Sequence, residues 1–450
     1  MQQCISYALE HNIQIRQAAL NTELNRETKS QSMTNMFPSL NGNASQNYYY
    51  GRSIDPITNA YTTNQVRSNN FSLTSNVALF EGLQLQNTLR QSKLNFLSSQ
   101  FDLQKVRDDI SINVVTFYLQ VLYNKELLLN IAGQVDATQQ QRDKIFRMFE
   151  LGSVSKGNLL DMEAQLATDL LRQVEAQSAF DQSLLSLMQL LELNTDSAFA
   201  IEVPVLSAPV LAAEQMNTNA IFAKALTNQP DIKSYELRVQ SAERGLSIAR
   251  GGRFPRLYLS GSLSTNFATT SQDIVGYETL PPTTVFSGFT GSGDSVYSFV
   301  NSIQPVLEQT PFMDQIENNL GRSVGFSLQI PLFNGFTAKT NVSRAKIYLE
   351  QSRLNLEQTR KNLLKSVQQA VADAHSSFKR YEAGSKSQEA LSESFKFNSQ
   401  RFELGLISTY DYLIVKNNLA KSEADLLQAK YDFVFRTKII DFYQGKPLTF

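Results

Sequence analysis

The tetrapeptide FELG occurs at 149–152 and again at 402–405, and each copy is followed by a short polar stretch and a leucine-rich run. Other landmarks recur in the same order. ALEHNIQI from Ala8 matches ALTNQPDI from Ala225, and FPSLNGNAS from Phe37 matches FPRLYLSGS from Phe254, both at an offset of 217. LFEG from Leu79 matches LFNG from Leu332, and FELG matches FELG, both at an offset of 253. Two halves on one plan are therefore expected, a first repeat over 1–217 and a second over 218–450. The offset grows from 217 to 253, so 36 extra residues lie between the FP and LF landmarks of the second half. An insertion confined to one place marks a surface loop.

Gly82 and Gly152 are 70 positions apart, as are Gly335 and Gly405, with no proline in either segment. Apolar residues recur there at steps of three and four: Ile110, Val114, Phe117, Val121, Leu128, Ile131 and Val135, then Leu363, Val367, Ala370, Ala374, Phe378 and Tyr381. That spacing predicts a coiled-coil stripe. A helix of about 65 residues would be about 100 Å long, far beyond a globular helix. Return helices are expected over 159–193 and 412–443, and each half opens with a helix, over 3–36 and 218–250. The segment 194–217, with Pro204 and Pro209, is expected to be an irregular link.

The non-helical parts fall between the FP and LF landmarks, as strand pairs in 37–80 and 254–333. RLYLSGSLSTNF places Leu257, Leu259, Leu263 and Phe267 on one face and Tyr258, Ser260, Ser262 and Ser264 on the other. VGFSLQIPLF and FSLTSNVALF alternate in the same way, and FPSLNGNASQNYYY does so more weakly. Period two with one apolar and one small polar face suits a transmembrane β-strand, although a soluble two-sided sheet has the same period. Residues 51–70 and 268–321 are expected to be long external loops, with Tyr48, Tyr49 and Tyr50 near a rim. Four strands cannot close a barrel, and open edges are not tolerated in lipid, so copies must share one. Two copies give eight strands, three give twelve and four give sixteen. Eight strands leave an interior filled by side chains, so a conducting assembly needs at least three copies.

Composition narrows the function. A formal net charge of −1 gives no basic face for nucleic acid. The single cysteine, Cys4, excludes an intrachain disulfide and a multi-cysteine zinc site. His11 and His375 stand alone in helical runs, without HExxH or Cys-His spacing. Asp108 and Asp109 are adjacent and so point to different helix faces, a poor geometry for acid–base work. ARGGRFP and SGFTGSGDS lack phosphate-loop spacing, and Gly251 and Gly252 read as a helix-to-strand bend. No catalytic residue, cofactor or metal is expected. No apolar run of about 18 residues predicts a transmembrane helix. The opening MQQCISYALEHN reads as an amphipathic helix without an apolar leader segment. That is expected of either a cytosolic protein or a mature form whose leader was removed, and the family resemblance below favours the second.

CISYALEHNIQI, the two hairpins running from FP to LFxG, IPLFNG and RFELGLISTYDYL together resemble the TolC family of outer-membrane channel proteins over essentially the full chain. The resemblance implies a mixed α and β membrane fold. In it, a homotrimer shares a twelve-stranded β-barrel, four strands per protomer, continuing into a long α-helical coiled-coil tube in the periplasm. It implies a passive exit duct for efflux or type I secretion that works with a periplasmic adaptor protein and an inner-membrane RND or ABC pump. The alternative is a periplasmic coiled-coil scaffold without a pore.

By the same resemblance the FELG bends are tips that touch the adaptor. Gly152 and Gly405 turn the chain, Arg401, Leu406 and Ser408 match the family's contact element, and Val154 and Ser155 are looser matches beside Met148 and Arg147. A simple helix-to-helix turn at each glycine is the plainer reading. The family also places acidic residues just past the tip, where three copies ring the pore. Asp411 lies six residues after Gly405, with Asn158 at the matching place, and Asp161 lies nine residues after Gly152, matched by Ile414. These make Asp411, Asp161 and Asn158 gate candidates, against the plainer reading of a helix-start aspartate favoured by the helix dipole.

Overall fold

The computed structural model describes residues 1–54, 61–194, 199–204 and 217–448. Most of the expected link at 194–217 lies outside the described residues. The first half runs α1 (Gln2–His11), α2 (Ile13–Thr34), β1 (Ser39–Ile54), β2 (Tyr61–Glu81), α3 (Gln84–Glu150) and α4 (Lys156–Leu190). The second begins with α5 (Thr218–Asn228), α6 (Pro230–Gly251), β3 (Arg256–Ala268), β4 (Gln272–Thr279), β5 (Thr283–Phe289) and β6 (Ser295–Val300). It continues through β7 (Ile303–Gln309), α7 (Phe312–Asn318), β8 (Gly321–Gln329), α8 (Thr337–Glu403) and α9 (Thr409–Tyr443). These form two compact units. One is helical, from Met1–Ser30, Arg90–Leu246 and Arg344–Phe450; the other, Gln31–Leu89 with Ser247–Ser343, holds the described strands.

In the helical unit, the proline-free segments are single helices: α3 and α8 have 67 residues each, and the return helices α4 and α9 have 35 each. Helices this long are held by packing rather than by propensity. Ile110, Val114 and Val121 of the expected stripe are buried, but Phe117 is 37% exposed. The buried face turns instead through Val115, Tyr118, Leu119 and Leu122. The reason is that α3 packs on several neighbours at once, reaching Ala8, Leu187, Leu427 and Tyr431, and so needs a face wider than a two-helix seam. In the second half Val367, Ala370 and Ala374 pack on Ile221, Ala225 and Ile440.

Each opening helix, expected to be continuous, is broken. Asn12 (φ −62°, ψ 128°) interrupts the first, and its Oδ1 accepts the Gln14 amide at 2.9 Å, a local bond that competes with the helix. Gln229 (φ −68°, ψ 122°) interrupts the second because Pro230 forces the residue before it out of the helical region.

In the other unit, β1, β2, β3 and β8 form an antiparallel sheet in that order. Register keeps the two faces separate across all four strands. Asn41, Thr74, Ser262 and Ser323 make one polar row, and Asn43, Ser72, Ser264 and Gly321 make another. On the opposite face Val77, Leu259 and Phe326 lie in one row and Leu73 pairs with Leu263. Phe312 of α7 covers one end of this apolar face at Phe267, and elsewhere the described residues leave it open: Leu40 is 68% exposed, Val324 79% and Phe326 70%. One side of β1 and one side of β8 carry no partner strand among the described residues.

Two expected loops are replaced by structure. The β1–β2 ladder runs without a break from Ser39↔Asn76 to Ile54↔Tyr61, so much of 51–70 is strand, held by cross-strand pairs such as Tyr50 with Gln65. Only 55–60 of that stretch lie outside the described residues. Within 268–321, β4 pairs with β7, β5 pairs with β6, and α7 follows, because TTVFSGF and SVYSFV carry strand alternation of their own.

The LFxG landmarks are strand-to-helix junctions. Gly82 and Leu83 (φ 58° and 61°) and Gly335 and Phe336 (φ 59° and 61°) are successive left-handed residues. At the first junction a Cβ on Gly82 would sit 2.3 Å from the Gly251 carbonyl oxygen, so ARGGRFP supplies a close backbone approach as well as a bend. At Gly335 nothing lies within 4 Å of such a Cβ. Gly335→Ala should therefore cost only the left-handed conformation, about 1–2 kcal/mol. Gly82→Ala should cost more, and it should show the lower thermal midpoint when the purified variants are melted by circular dichroism. Equal midpoints would contradict the close approach.

Candidate functional site

The two FELG bends are built alike from backbone hydrogen bonds. At the first, the Gly152 amide donates to the Phe149 carbonyl (2.9 Å) and the Ser153 amide to the Met148 carbonyl (2.9 Å). At the second, Gly405 donates to Phe402 (3.0 Å) and Leu406 to Arg401 (2.9 Å). This pair of bonds is a Schellman cap, and it needs a left-handed residue after the helix. Gly152 has φ 73° and Gly405 φ 72°, and nothing crowds either position, so conformation alone selects glycine.

The N-cap of the next helix lies three residues later. Ser155 caps α4 by accepting the Asn158 amide (3.3 Å), and Ser408 caps α9 by accepting the Asp411 amide (3.1 Å). Val154 and Ile407, just before the caps, join Leu159 and Tyr412 four residues after them in one apolar cluster, as in a hydrophobic staple. The same cluster takes in Ile145, Met162 and Leu413, with Phe149 and Phe402 packed against it. Phe402 stacks on Tyr412 at 4.5 Å and 15°. The phenylalanine of FELG thus anchors each tip, and the two tips share one core. Lys144 adds an exposed ion pair to Glu403 at 3.3 Å.

The residues singled out from the sequence divide into structural and presenting groups. Gly152, Gly405, Ser155 and Ser408 build the turns and caps. Val154 is half-buried in the shared core. Leu406 is 64% exposed beside Leu404 at 74%, and Leu151 of the first tip is 82% exposed, so both tips present apolar side chains outward. Arg401 is exposed, with its guanidinium 5.9 Å from the centre of the Phe397 ring. Asp411 is exposed and its Oδ2 accepts the Ser408 hydroxyl at 2.7 Å, so it belongs to the cap of α9 whatever else it does. Asn158 holds the equivalent place in α4, and Asp161 is exposed one turn on.

A buried polar network beyond the tips was not legible in the sequence. Lys416 of α9 donates to Asp169 of α4 at 2.8 Å and to the Thr138 hydroxyl of α3. Thr138 in turn bonds Asp169 at 2.6 Å, and Gln165 donates to the other Asp169 oxygen at 2.7 Å. Gln165 and Asn417 exchange amide bonds of 3.0 and 3.2 Å. The Lys416 and Asp169 side chains are 10% and 4% exposed. Burial opposes the Asp169 charge, but the bonds from Lys416, Thr138 and Gln165 outweigh it and hold the carboxyl below its ordinary value.

Removing one partner of such a pair leaves a buried charge and costs about 3–5 kcal/mol, whereas an apolar pair of similar volume is often tolerated. Lys416→Met should therefore lower thermal stability sharply, and adding Asp169→Leu should recover most of it; a double variant no better than the single would contradict this. Because the folded carboxyl is depressed, its contribution is complete above the unfolded value of about 3.9 and is lost as pH falls through the folded value. The stability gap between wild type and the double variant should thus be flat from about pH 5 to about pH 7 and change only below about pH 4.

The outer membrane efflux protein family matches residues 4–192 and 221–435, nearly the whole of both halves. Among curated relatives, the solvent efflux pump outer membrane protein SrpC of Pseudomonas putida is 22% identical over 430 residues, covering 94% of this chain and 80% of the relative. The toluene efflux pump outer membrane protein TtgI, also of Pseudomonas putida, gives the same figures. Among solved structures, CusC superposes with a TM-score of 0.79 at 19% identity, over 99% of this chain and 92% of that one. The Campylobacter jejuni CmeC outer membrane channel gives 0.77 at 17% identity, over 100% and 86%. Paired Schellman-capped tips, two sets of long helices and a two-faced sheet with bare edges therefore occur in a chain that belongs to the outer membrane efflux protein family.

Proposed function

We propose that this chain is the outer-membrane exit duct of a tripartite efflux or type I secretion system and works as a homotrimer. The observation that carries the reading is the four-stranded sheet, which leaves most of an apolar face open and ends at β1 and β8 without partners among the described residues. Lipid satisfies neither bare edge, so β8 of one copy must pair with β1 of the next. Three copies supply twelve strands, wide enough for an aqueous lumen lined by the serine, threonine and asparagine rows. Family membership favours three over four. Matched lengths in α2 and α6, α3 and α8, and α4 and α9 support a duplicated protomer with repeats over 1–217 and 218–450.

The helical hairpins reach into the periplasm, where the exposed Leu406 and Arg401 of the second tip, with Gly152, Val154 and Ser155 of the first, meet the adaptor. The adaptor links the duct to an RND or ABC pump, which sets the cargo. Relatives named for solvent and toluene efflux make small apolar molecules one cargo class. No chemistry is required of this chain. Three Asp411 carboxylates, with Asp161 or Asn158 nearby, ring the narrow end, where mutual repulsion is relieved by cations.

Reconstituted in planar bilayers, the protein should conduct with cation preference. Asp411→Asn, which keeps the amide bond to Ser408, should reduce that preference and raise conductance, and adding Asp161→Asn should extend both effects. An assembly that conducts in no variant would overturn the duct, whereas a duct with unchanged selectivity would overturn only the gate.

A further inference from the structure

The long insertion of the second half folds into a hairpin that its own protomer leaves uncovered. It rises through β4 and β5 and returns through β6 and β7, as two-stranded ladders with no third strand among the described residues. A two-stranded ladder alone is marginal in water. This one also exposes large apolar side chains: Tyr277 at 66%, Phe289 at 70%, Phe299 at 77% and Ile303 at 65%. Its root is nevertheless fixed. Buried Gln315 of α7 accepts the Ala268 amide (2.9 Å) and donates to the Ala268 and Thr310 carbonyls (3.1 and 2.8 Å), and Phe312 packs on Phe267 at 5.1 Å. A firmly rooted blade with a bare apolar surface calls for a specific cover.

Strand lengths indicate where that cover lies. β1 has 16 residues and β8 has 9, so a β8–β1 seam between copies leaves at least seven residues of β1 unpaired. Both strands join helices at one end, β1 after α2 and β8 before α8. Aligning those ends puts the surplus at 48–54, the stretch carrying Tyr48, Tyr49 and Tyr50, which are 52%, 60% and 70% exposed. The hairpin returns directly into α7 and β8, so it springs from the same end of the same seam.

Charge agrees. Residues 257–321 contain no lysine or arginine, and the hairpin carries Asp273, Glu278, Asp294 and Glu308. That disfavours both hairpin-on-hairpin packing between copies and an anionic lipid surface. The β1–β2 end carries Arg52 and Arg67 against the single acid Asp55.

We infer that the 272–309 hairpin of each copy lies on the protruding β1–β2 end of the neighbouring copy, its aromatic side chains against Tyr48 and Tyr50 and its carboxylates facing Arg52, which shares their face of β1. This rests on the trimeric duct proposed above and adds a second interface to its barrel seam. The hairpin becomes a strap between copies, completed only by assembly.

The test is cross-linking of the full-length protein in outer-membrane vesicles, in a Cys4→Ser background, with a short bis-maleimide. One variant pairs Tyr50→Cys with Phe299→Cys; a second, reporting the seam, pairs Ser45→Cys with Ser323→Cys; the four single-cysteine variants are controls. The inference expects linked dimers and trimers on denaturing gels from both pairs and none from the singles. Adding Arg52→Glu should cut the yield of the first pair at least threefold at low salt and leave the second unchanged. Links from the seam pair alone would overturn the strap while sparing the trimer. Links from neither pair would overturn both. A yield unmoved by Arg52→Glu would overturn the charge pairing that orients the strap.

Discussion

The bare sheet edge is the constraint on which the rest of the structure depends. A backbone amide or carbonyl left unpaired in hydrocarbon costs several kcal/mol, and β1 and β8 each present a row of them. No residue substitution within the protomer removes that cost; only another strand does. The alternation across the four strands determines what closure makes. With leucine, valine and phenylalanine on one face and serine, threonine and asparagine on the other, closing the edges encloses a polar lumen. In the proposed trimer the channel is thus a property of the assembly, and each protomer carries a fragment of it.

The helical unit answers a different problem, that of holding 67-residue helices in register. Local propensity does not do this, because a helix can slide along an apolar stripe at little cost. Two kinds of interaction oppose sliding. At the tips, Schellman caps, serine caps and the shared Phe149–Phe402 core tie two hairpins at one level. Further along, Lys416, Asp169 and Thr138 join α9, α4 and α3 through bonds that only one register satisfies.

Much of the architecture was legible because it repeats or has a period. The 253-residue spacing of FELG located both tips, and the absence of proline between paired glycines located both long helices to within a few residues. Alternation found all four sheet strands, the weakest of them included. Failures came where a local preference met a tertiary partner. The breaks at Asn12 and Gln229 were missed, although Pro230 carried a readable signal for the second. The extent of β1 and β2 was underestimated because asparagine and glutamine rungs look like loop until paired across the ladder. At the candidate site, the turn at each glycine was legible from its position, whereas Ser155 and Ser408, expected as adaptor contacts, were not read as the helix caps they form. The Lys416–Asp169 pair was not, since residues 247 positions apart reveal no partnership in a single chain. Asp411 shows the limit most clearly: its spacing from Gly405 fits both a cap and a gate, and the structure establishes the cap.

The central claim is that the bare edges are closed by three identical copies. Native mass spectrometry of the detergent-extracted protein tests it directly. With a chain of 50.6 kDa, the account predicts a single species of three chains that survives detergent exchange. A monomer that stays folded and soluble without detergent, or an assembly of two or four chains, would contradict it.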